Sequence, residues 1–171
     1  PFFEKFKSIV DTDTGNYELA LANSRSRMRM LTLYYYAGIS NSIVVGTGNK
    51  VEDFGIGFYT KYGDGGVDIS PIADLMKSEV YALSKHLKIS NDILNAPPTD
   101  GLWDDDRNDE EQLGATYEQL EWAMTQHAAG KSPADFVGEN ARVLEVFISH
   151  HNANKHKMEP IPVCSIPKQL L

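Results

Sequence analysis

The residue types that could do chemistry are concentrated in two glycine-containing segments. In VVGTGNKVED, Thr47 and Glu52 follow a short run of β-branched residues, and in FYTKYGDGGVDISP, Lys61 and Asp68 flank a glycine-rich turn. A threonine can donate to a nucleotide, a glutamate can hold Mg²⁺, and a lysine can pair with a phosphate that glycines admit to the backbone. Phosphate chemistry is one interpretation; two ordinary turns with incidental charges are the other. Neither segment is a Walker sequence.

Arginines on a predicted helix offer a further anion contact. Arg25, Arg27 and Arg29 stand at alternate positions, so they cannot share one helical face. One or two of them can point to an anion site while the rest are solvated, and a charged outer face is the simpler interpretation.

Two other polar runs could in principle bind metal. The acidic run WDDDRNDEE over 103–111 is more typical of a solvated capping loop than of a metal site. In SHHNANKHK, the spacing from His150 to His156 is too wide for a one-face helical pair, and no cysteine is nearby. A basic helix end therefore explains this run better than zinc does, and an anion contact from His156 and Lys157 is the functional alternative.

The elements that would position these residues follow an α/β pattern. A helix is predicted over 18–37, followed by a strand at Ile43–Val45 that is buried on both faces. A second helix is predicted after Ser70, with an apolar stripe of Met76, Val80, Leu83 and Leu87. Two more are predicted, one from 108 to about 127 with Asn108 and Asp109 as candidate caps, and one after Ser132. In open parallel sheets, ligands bind beyond the carboxyl ends of strands. We therefore expect Thr47 and Glu52 at such an end.

Composition limits the function classes. The 171 residues suit one domain, and a net charge of -8 with a pI near 5.0 argues against non-specific nucleic-acid binding. No apolar run approaches the length of a membrane span, so we expect no membrane association. The single cysteine, Cys164, favours a reducing compartment, and we expect the cytoplasm.

Six segments taken in order resemble the ammonia-dependent NAD synthetase family. They are SRSRM, VVGTGNKVED, FYTKYGDGGVDISPIADLMKSEV, APPTDGLWDDDR, DEEQLGATYEQLE and NKHKMEPIP. Each is weak alone, but their joint order is specific, and the resemblance covers most of the chain. It implies an open, mostly parallel α/β sheet flanked by helices, of the adenine nucleotide alpha hydrolase-like type. It also implies that 1–171 is the C-terminal portion of a single NAD synthetase domain, incomplete at the N-terminus and without the family's SGGxDS-type loop.

The resemblance implies an ATP-dependent amidation. ATP and Mg²⁺ would activate the carboxylate of nicotinic acid adenine dinucleotide (deamido-NAD) as an adenylate, and ammonia would then give NAD, AMP and pyrophosphate. No protein nucleophile is needed for such chemistry, but cations and a dry site are. The family also implies a homodimer with sites near the interface.

The matching motifs also imply residue roles. ATP would meet Thr47, Lys77 and Thr99, and Mg²⁺ would be held by Glu52. One extra residue between Glu52 and Lys61, compared with some members, leaves Asp53 as an alternative metal ligand. Deamido-NAD would be bound by Arg25, Lys61, Asp68, His156 and Lys157.

Three alternatives to this function stay open. The chain could be the synthetase portion of a glutamine-dependent NAD synthetase, or another ATP pyrophosphatase such as a GMP synthetase or a tRNA-thiolating enzyme. It could also be a non-catalytic nucleotide-binding or dimerisation fragment, since the pyrophosphate loop is not found in the sequence.

Overall fold

The described part of the chain is largely helical. The computed structural model describes residues 2–10, 15–99, 101–103 and 108–170. Those ranges hold seven α-helices, one π-helix and two short 3₁₀ turns. The α-helices are α1 (Phe2–Lys7), α2 (Tyr17–Ser40), α3 (Lys77–His86), α4 (Asn91–Leu94), α5 (Asp109–Leu113), α6 (Tyr117–Ala128) and α7 (Glu139–Met158). The π-helix is Val51–Ile56, and the 3₁₀ turns are Pro133–Asp135 and Lys168–Leu170.

The long helix predicted over 18–37 is confirmed as α2, with a slightly later end. No proline interrupts it, and it stops where Asn41 adopts a left-handed conformation with φ of 51°. The Asn41 amide donates to the carbonyl of Ala37, which closes the last turn. The buried positions of α2 are Ala22, Ser26 and Ala37.

The hydrophobic core lies between α6, α7 and the π-helix. Leu120 and Ala123 are three residues apart on α6, so they share one face. Val143 and Phe147 share a face of α7 for the same reason, and all four are essentially inaccessible to solvent. The π-helix adds Val51 and Ile56 to this cluster. The π-helix, which carries Glu52 in its first turn, therefore belongs to the best-packed part of the described structure.

The predicted open, mostly parallel sheet is wrong. Within the described ranges no strand forms, and the extended segment 43–47 makes one isolated parallel bridge, from Val45 to Ile69. Ile43 is 57% exposed and Val45 51% exposed, so the segment is not buried on both faces either. A β-branched run favours extended backbone, but a sheet needs a ladder of neighbouring strands. Among the described residues, this segment pairs in β geometry with Ile69 alone.

Helix α3 begins later than the sequence pattern predicts. Ser70 and Pro71 do not start it; the first helical residue is Lys77, and the Glu79 carboxylate accepts a hydrogen bond from the Met76 amide. The intervening residues are drawn into other contacts, since the carbonyl of Leu75 accepts from the Lys50 amide. The predicted apolar stripe is also wrong at its end, because Leu83 and Leu87 are exposed.

The remaining helices differ from prediction at their boundaries. The helix predicted from 108 to about 127 is divided at Gly114 into α5 and α6, and the Asn108 cap is confirmed. Thr116 starts α6 by accepting from the Gln119 amide. Helix α7 begins at Glu139 rather than after Ser132. The acidic run at 104–107 lies outside the described residues.

Across the ranges that the structure covers, none of the helices is long and apolar enough to cross a lipid bilayer.

Candidate functional site

Glu52 lies in the first turn of the π-helix, and two hydrogen bonds fix its backbone. The side chain of the buried Asn49 accepts a hydrogen bond from the Glu52 amide at 3.1 Å. The amide of Gly57 closes the element on the Glu52 carbonyl. Hydrogen bonds in a π-helix span five residues rather than four, and such turns are common at functional sites.

Glu52 is paired with Lys77, the first residue of α3. The Lys77 Nζ lies 2.7 Å from Glu52 Oε1, and the side chains are 21% and 15% exposed. The ammonium also lies 4.6 Å from the centre of the Tyr117 ring. The two residues predicted for metal and ATP phosphate are thus brought together, in a position shielded from most solvent; we call them the Glu52–Lys77 pair.

Asp53 occupies a different environment from Glu52. A Cβ added at Gly48 would lie 2.1 Å from Asp53 Oδ2, so the Asp53 carboxylate fills the space that a side chain at position 48 would need. Burial, together with the negative charges of Glu52 and Asp64, raises the pKa of Asp53 to about 6. Of these two neighbouring carboxylates, Glu52 is the one that contacts Lys77.

Asp64 and Ser26 join α2 to the glycine loop, by which we mean residues 58–71. Neither residue was predicted to belong to the site. Asp64 Oδ1 accepts from the Thr60 amide at 2.9 Å and from Ser26 Oγ at 2.8 Å. Ser26 Oγ in turn accepts from the Asp64 amide at 3.0 Å, and Ser26 is 3% exposed. The Asp64-Gly65 sequence could have predicted this contact, because an aspartate in such a turn often accepts hydrogen bonds from nearby backbone amides.

A cavity of about 370 Å³ opens between α2, the segment 44–47 and the glycine loop. Thr47, Arg29 and Asp64 contribute polar groups to it, and Met30, Leu33 and Val67 contribute apolar surface. Of the residues predicted for ATP, Thr47 is the one on the wall of this cavity. An apolar wall with a few polar groups is the usual character of a small-molecule site.

Lys61, His156 and Lys157 come together at the end of α7. Lys61 Nζ donates to the carbonyl of His156 at 2.5 Å. Lys157 Nζ donates at 2.8 Å to the carbonyls of both Gly57 and Tyr59. Burial lowers the pKa of Lys157 from its ordinary value. The two lysines therefore hold the glycine loop against α7 through backbone carbonyls.

The remaining predicted residues lie in two other places. Asp68 accepts from the Val44 amide at 2.7 Å and from the Tyr34 hydroxyl at 3.1 Å. Arg25 donates to the carbonyl of Leu102, and Thr99 Oγ1 accepts from the Gly101 amide, so both contact the same short segment. Arg29, one helical turn after Arg25, donates to the Gly101 carbonyl.

The histidines have structural contacts. His151 Nδ1 lies 2.7 Å from the carbonyl of Gly55, and His150 Nε2 lies 3.2 Å from that of Leu113. In the part of the chain that the structure describes, no group of three His, Cys, Asp or Glu side chains is placed to hold a metal ion.

Comparison with known proteins relates this arrangement to one family. The family model described as NAD synthase matches residues 1–161. The NH(3)-dependent NAD(+) synthetase of Syntrophomonas wolfei is 36% identical over 97% of this chain and 62% of its own length. That of Methanococcoides burtonii is 48% identical over 64% of this chain and 41% of its own length. The chain thus spans roughly half the length of the curated relatives that it matches.

Solved structures give the same relationship. The NMN synthetase from Francisella tularensis superposes with a TM-score of 0.79 at 33% identity, over 97% of this chain and 64% of that one. The NH3-dependent NAD synthetase from Campylobacter jejuni has a TM-score of 0.71 over 96% of this chain and 62% of its own, and at 23% identity the likeness concerns the fold alone. The extent of the family match and the identity to its curated members lead to one conclusion: the chain belongs to the NAD synthase family.

Proposed function

We propose that this chain takes part in the ATP-dependent amidation of deamido-NAD by ammonia, with NAD, AMP and pyrophosphate as products. The observation that carries the proposal is the Glu52–Lys77 pair, a carboxylate and an ammonium 2.7 Å apart and shielded from most solvent, in a chain of the NAD synthase family. The pair offers a ligand for a phosphate-bound cation and a positive charge for the phosphates themselves.

ATP would be bound by Lys77 together with Thr47 and Thr99. Transfer of an adenylyl group onto a carboxylate develops charge on the departing pyrophosphate, and a fixed ammonium nearby stabilises that charge. The two threonine hydroxyls would orient the nucleotide. Both threonines are exposed, so a ligand can reach them.

Mg²⁺ fits these residues as a phosphate-bound ion. Mg²⁺ commonly uses one or two protein carboxylates and completes its octahedron with phosphate oxygens and water. Glu52 supplies one carboxylate, which suits such an ion. When bound, Mg²⁺ would neutralise phosphate charge and polarise the phosphate under attack. Glu52 would have to release Lys77 in part to accept it.

Deamido-NAD would be bound by Arg25, Lys61, Asp68, His156 and Lys157. These five residues are not among those that line the cavity of about 370 Å³, which carries Thr47 and Arg29. Lys61 and Lys157 now donate to backbone carbonyls. A phosphate or carboxylate is a stronger acceptor than a carbonyl, so substrate would compete for both ammonium groups.

The assembly and location that go with this function are proposals of the same kind. We expect a homodimer in the cytoplasm, with ammonia as the nitrogen donor of the reaction. Sedimentation of the purified chain tests the dimer directly: a monomer at micromolar concentration contradicts it.

Replacement of Lys77 tests the function. For Lys77→Met we expect the affinity for Mg·ATP, measured by titration calorimetry, to fall by about tenfold or more because a charge-assisted contact is lost. Lys85→Met, at the exposed end of the same helix, is the matched control and should bind like wild type. Wild-type chain that fails to bind Mg·ATP contradicts the proposal. Binding without formation of AMP and NAD favours a nucleotide-binding fragment instead.

Replacement of Lys61 tests the second substrate. Lys61→Ala should weaken deamido-NAD binding and leave the melting temperature unchanged, since a loop lysine adds little core packing. Nicotinate mononucleotide is a useful competitor because one similar structure is an NMN synthetase. If mononucleotide binds more tightly than deamido-NAD, the assigned substrate is wrong while the amidation chemistry stands.

A further inference from the structure

The first turn of α6 contacts the first residues of α3. Tyr117, 7% exposed, places its ring beneath Lys77, with 4.6 Å between Nζ and the ring centre. One turn later, Glu121 accepts from the Ser78 amide at 2.8 Å and from Ser78 Oγ at 2.7 Å. Residues four apart lie on the same helical face. Helix α6 therefore holds two consecutive residues of α3 at once.

The Tyr117 hydroxyl is directed at a buried carboxylate. It donates to Asp109 Oδ2 at 3.3 Å, and Asp109 is 7% exposed. This contact fixes the ring at its hydroxyl end, while the ring face meets the Lys77 ammonium. Burial and the nearby charges of Glu52 and Asp109 raise the pKa of Tyr117 above its ordinary value.

The backbone at the start of α3 is already engaged. Glu79 accepts from the Met76 amide, and Glu121 accepts from the Ser78 amide. An incoming phosphate would therefore meet the Lys77 side chain rather than these amides. A lysine is a flexible point charge. Its ammonium therefore binds a phosphate best when neighbouring groups hold it in place.

We propose that Tyr117 is a positioning residue for Lys77 of the Glu52–Lys77 pair, its ring supporting the ammonium and its hydroxyl fixing the ring through Asp109. The inference rests on the proposed function of that pair. In the ligand-free state, the two charges satisfy each other at 2.7 Å. When phosphate and cation separate them, the ring still faces Lys77. The ammonium thus exchanges partners without losing its position.

The arrangement itself is tested without ligand. Protons on the Lys77 side chain should show an upfield ring-current shift in NMR spectra of wild-type chain and of Tyr117→Phe, and this shift should disappear in Tyr117→Leu. Tyr81→Phe, on α3, is the matched control and should leave the signals unchanged. Unshifted Lys77 signals in the wild type, or signals unaffected by Tyr117→Leu, would overturn the proposal.

The functional part is tested by ATP binding. In Tyr117→Leu, which removes the ring, the affinity for Mg·ATP should fall about tenfold, because Lys77 loses its support. Tyr117→Phe, which keeps the ring, should lose less, and binding of deamido-NAD should be unchanged in both variants. Unaltered Mg·ATP affinity in Tyr117→Leu overturns the proposal, as does an equal loss for both ligands with a lowered melting temperature, which indicates a purely structural role. If wild-type chain shows the Lys77 shift but binds no ATP, the proposed function fails and the support of Lys77 by Tyr117 stands.

Discussion

Two regions of the molecule are held in place by different forces. The packed unit, which we define as the π-helix, α6 and α7, buries its large side chains, with Leu120, Leu144 and Phe147 at 1% exposure or less. Helix α2 is the opposite. Its buried positions are two alanines and Ser26, whereas its large apolar side chains are exposed, including Leu31 at 61% and Tyr35 at 63%.

Polar contacts hold α2 in place, whereas apolar contacts hold the packed unit together. Ser26 bonds with Asp64, Asn23 accepts from Thr60 at 2.7 Å, and Arg27 donates to the carbonyl of Lys61. Each such contact is directional and individually modest, whereas apolar burial is additive and non-directional. Glu52 belongs to the packed unit and Lys77 contacts Tyr117 of that unit, whereas the cavity lies against α2. We therefore expect the two halves of the candidate site to respond differently to mutation.

The largest difference should appear between Phe147 and Leu31. Phe147→Ala should lower the free energy of unfolding by about 3–5 kcal/mol, because it leaves a cavity in the packed unit. Leu31→Ala, on the exposed face of α2, should change it by less than about 0.5 kcal/mol. Urea denaturation measures both values. Similar losses for the two variants would refute the distinction between the regions.

The second effect concerns Gly57, where the π-helix meets α7. Gly57 has φ of 61°, and an added Cβ would lie 2.5 Å from Asn154 Cβ. Gly57→Ala should therefore cost about 2–4 kcal/mol, from left-handed strain and overpacking together.

Gly130→Ala is the matched control for Gly57→Ala. Gly130 has φ of 73°, but an added Cβ would have no atom within 4 Å, so only the strain of about 1–2 kcal/mol remains. Thermal unfolding of both variants gives the comparison. Equal losses would show that close packing of the π-helix on α7 is not important.

A smaller effect tests the polar attachment of α2. Ser26→Ala should cost about 1–2 kcal/mol, because the buried contact with Asp64 is lost on both its donor and acceptor sides. Hydrogen exchange of the glycine-loop amides should also accelerate. Ser24→Ala is the control, since Ser24 bonds only locally to the Ala20 carbonyl. A loop unaffected by Ser26→Ala would mean that other contacts hold it.

The smallest effect is expected at the exposed ion pair of Lys50 and Asp74. Nζ and Oδ1 are 2.9 Å apart, but Asp74 is 96% exposed. Asp74→Asn should leave the midpoint of urea denaturation essentially unchanged, because solvent screens an ion pair this exposed. A lower midpoint would mean that this pair, and not backbone hydrogen bonding, attaches the segment 46–50 to its neighbour.

Local signals in the sequence predicted some elements well. The long helix without a proline and the Asn108 cap are both reproduced in the structure, although the large apolar side chains of that helix are exposed. The division between α5 and α6 was missed although Gly114 and Thr116 are ordinary stop and start signals. The late start of α3 has no such signal, because the carbonyl of Leu75 is engaged by the distant Lys50 amide.

The sheet could not be judged from its one β-branched run. Val44 is buried as predicted, but its neighbours Ile43 and Val45 are exposed, because a strand is buried by partners that lie elsewhere in the chain. Residue types identified Glu52 and the family resemblance implied Lys77, but neither related them to Tyr117, which is 40 positions beyond Lys77 along the chain.

The sequence by itself determined the family, the helical segments with strong local signals and the identity of the charged residues that could handle phosphate. These properties depend on residue order and short-range spacing. Only the tertiary structure decided that Glu52 pairs with Lys77, that the Tyr117 ring lies beneath Lys77 and that Asp64 bonds to Ser26. Those contacts join residues 25 to 40 positions apart, so chain folding, and not local propensity, brings them together.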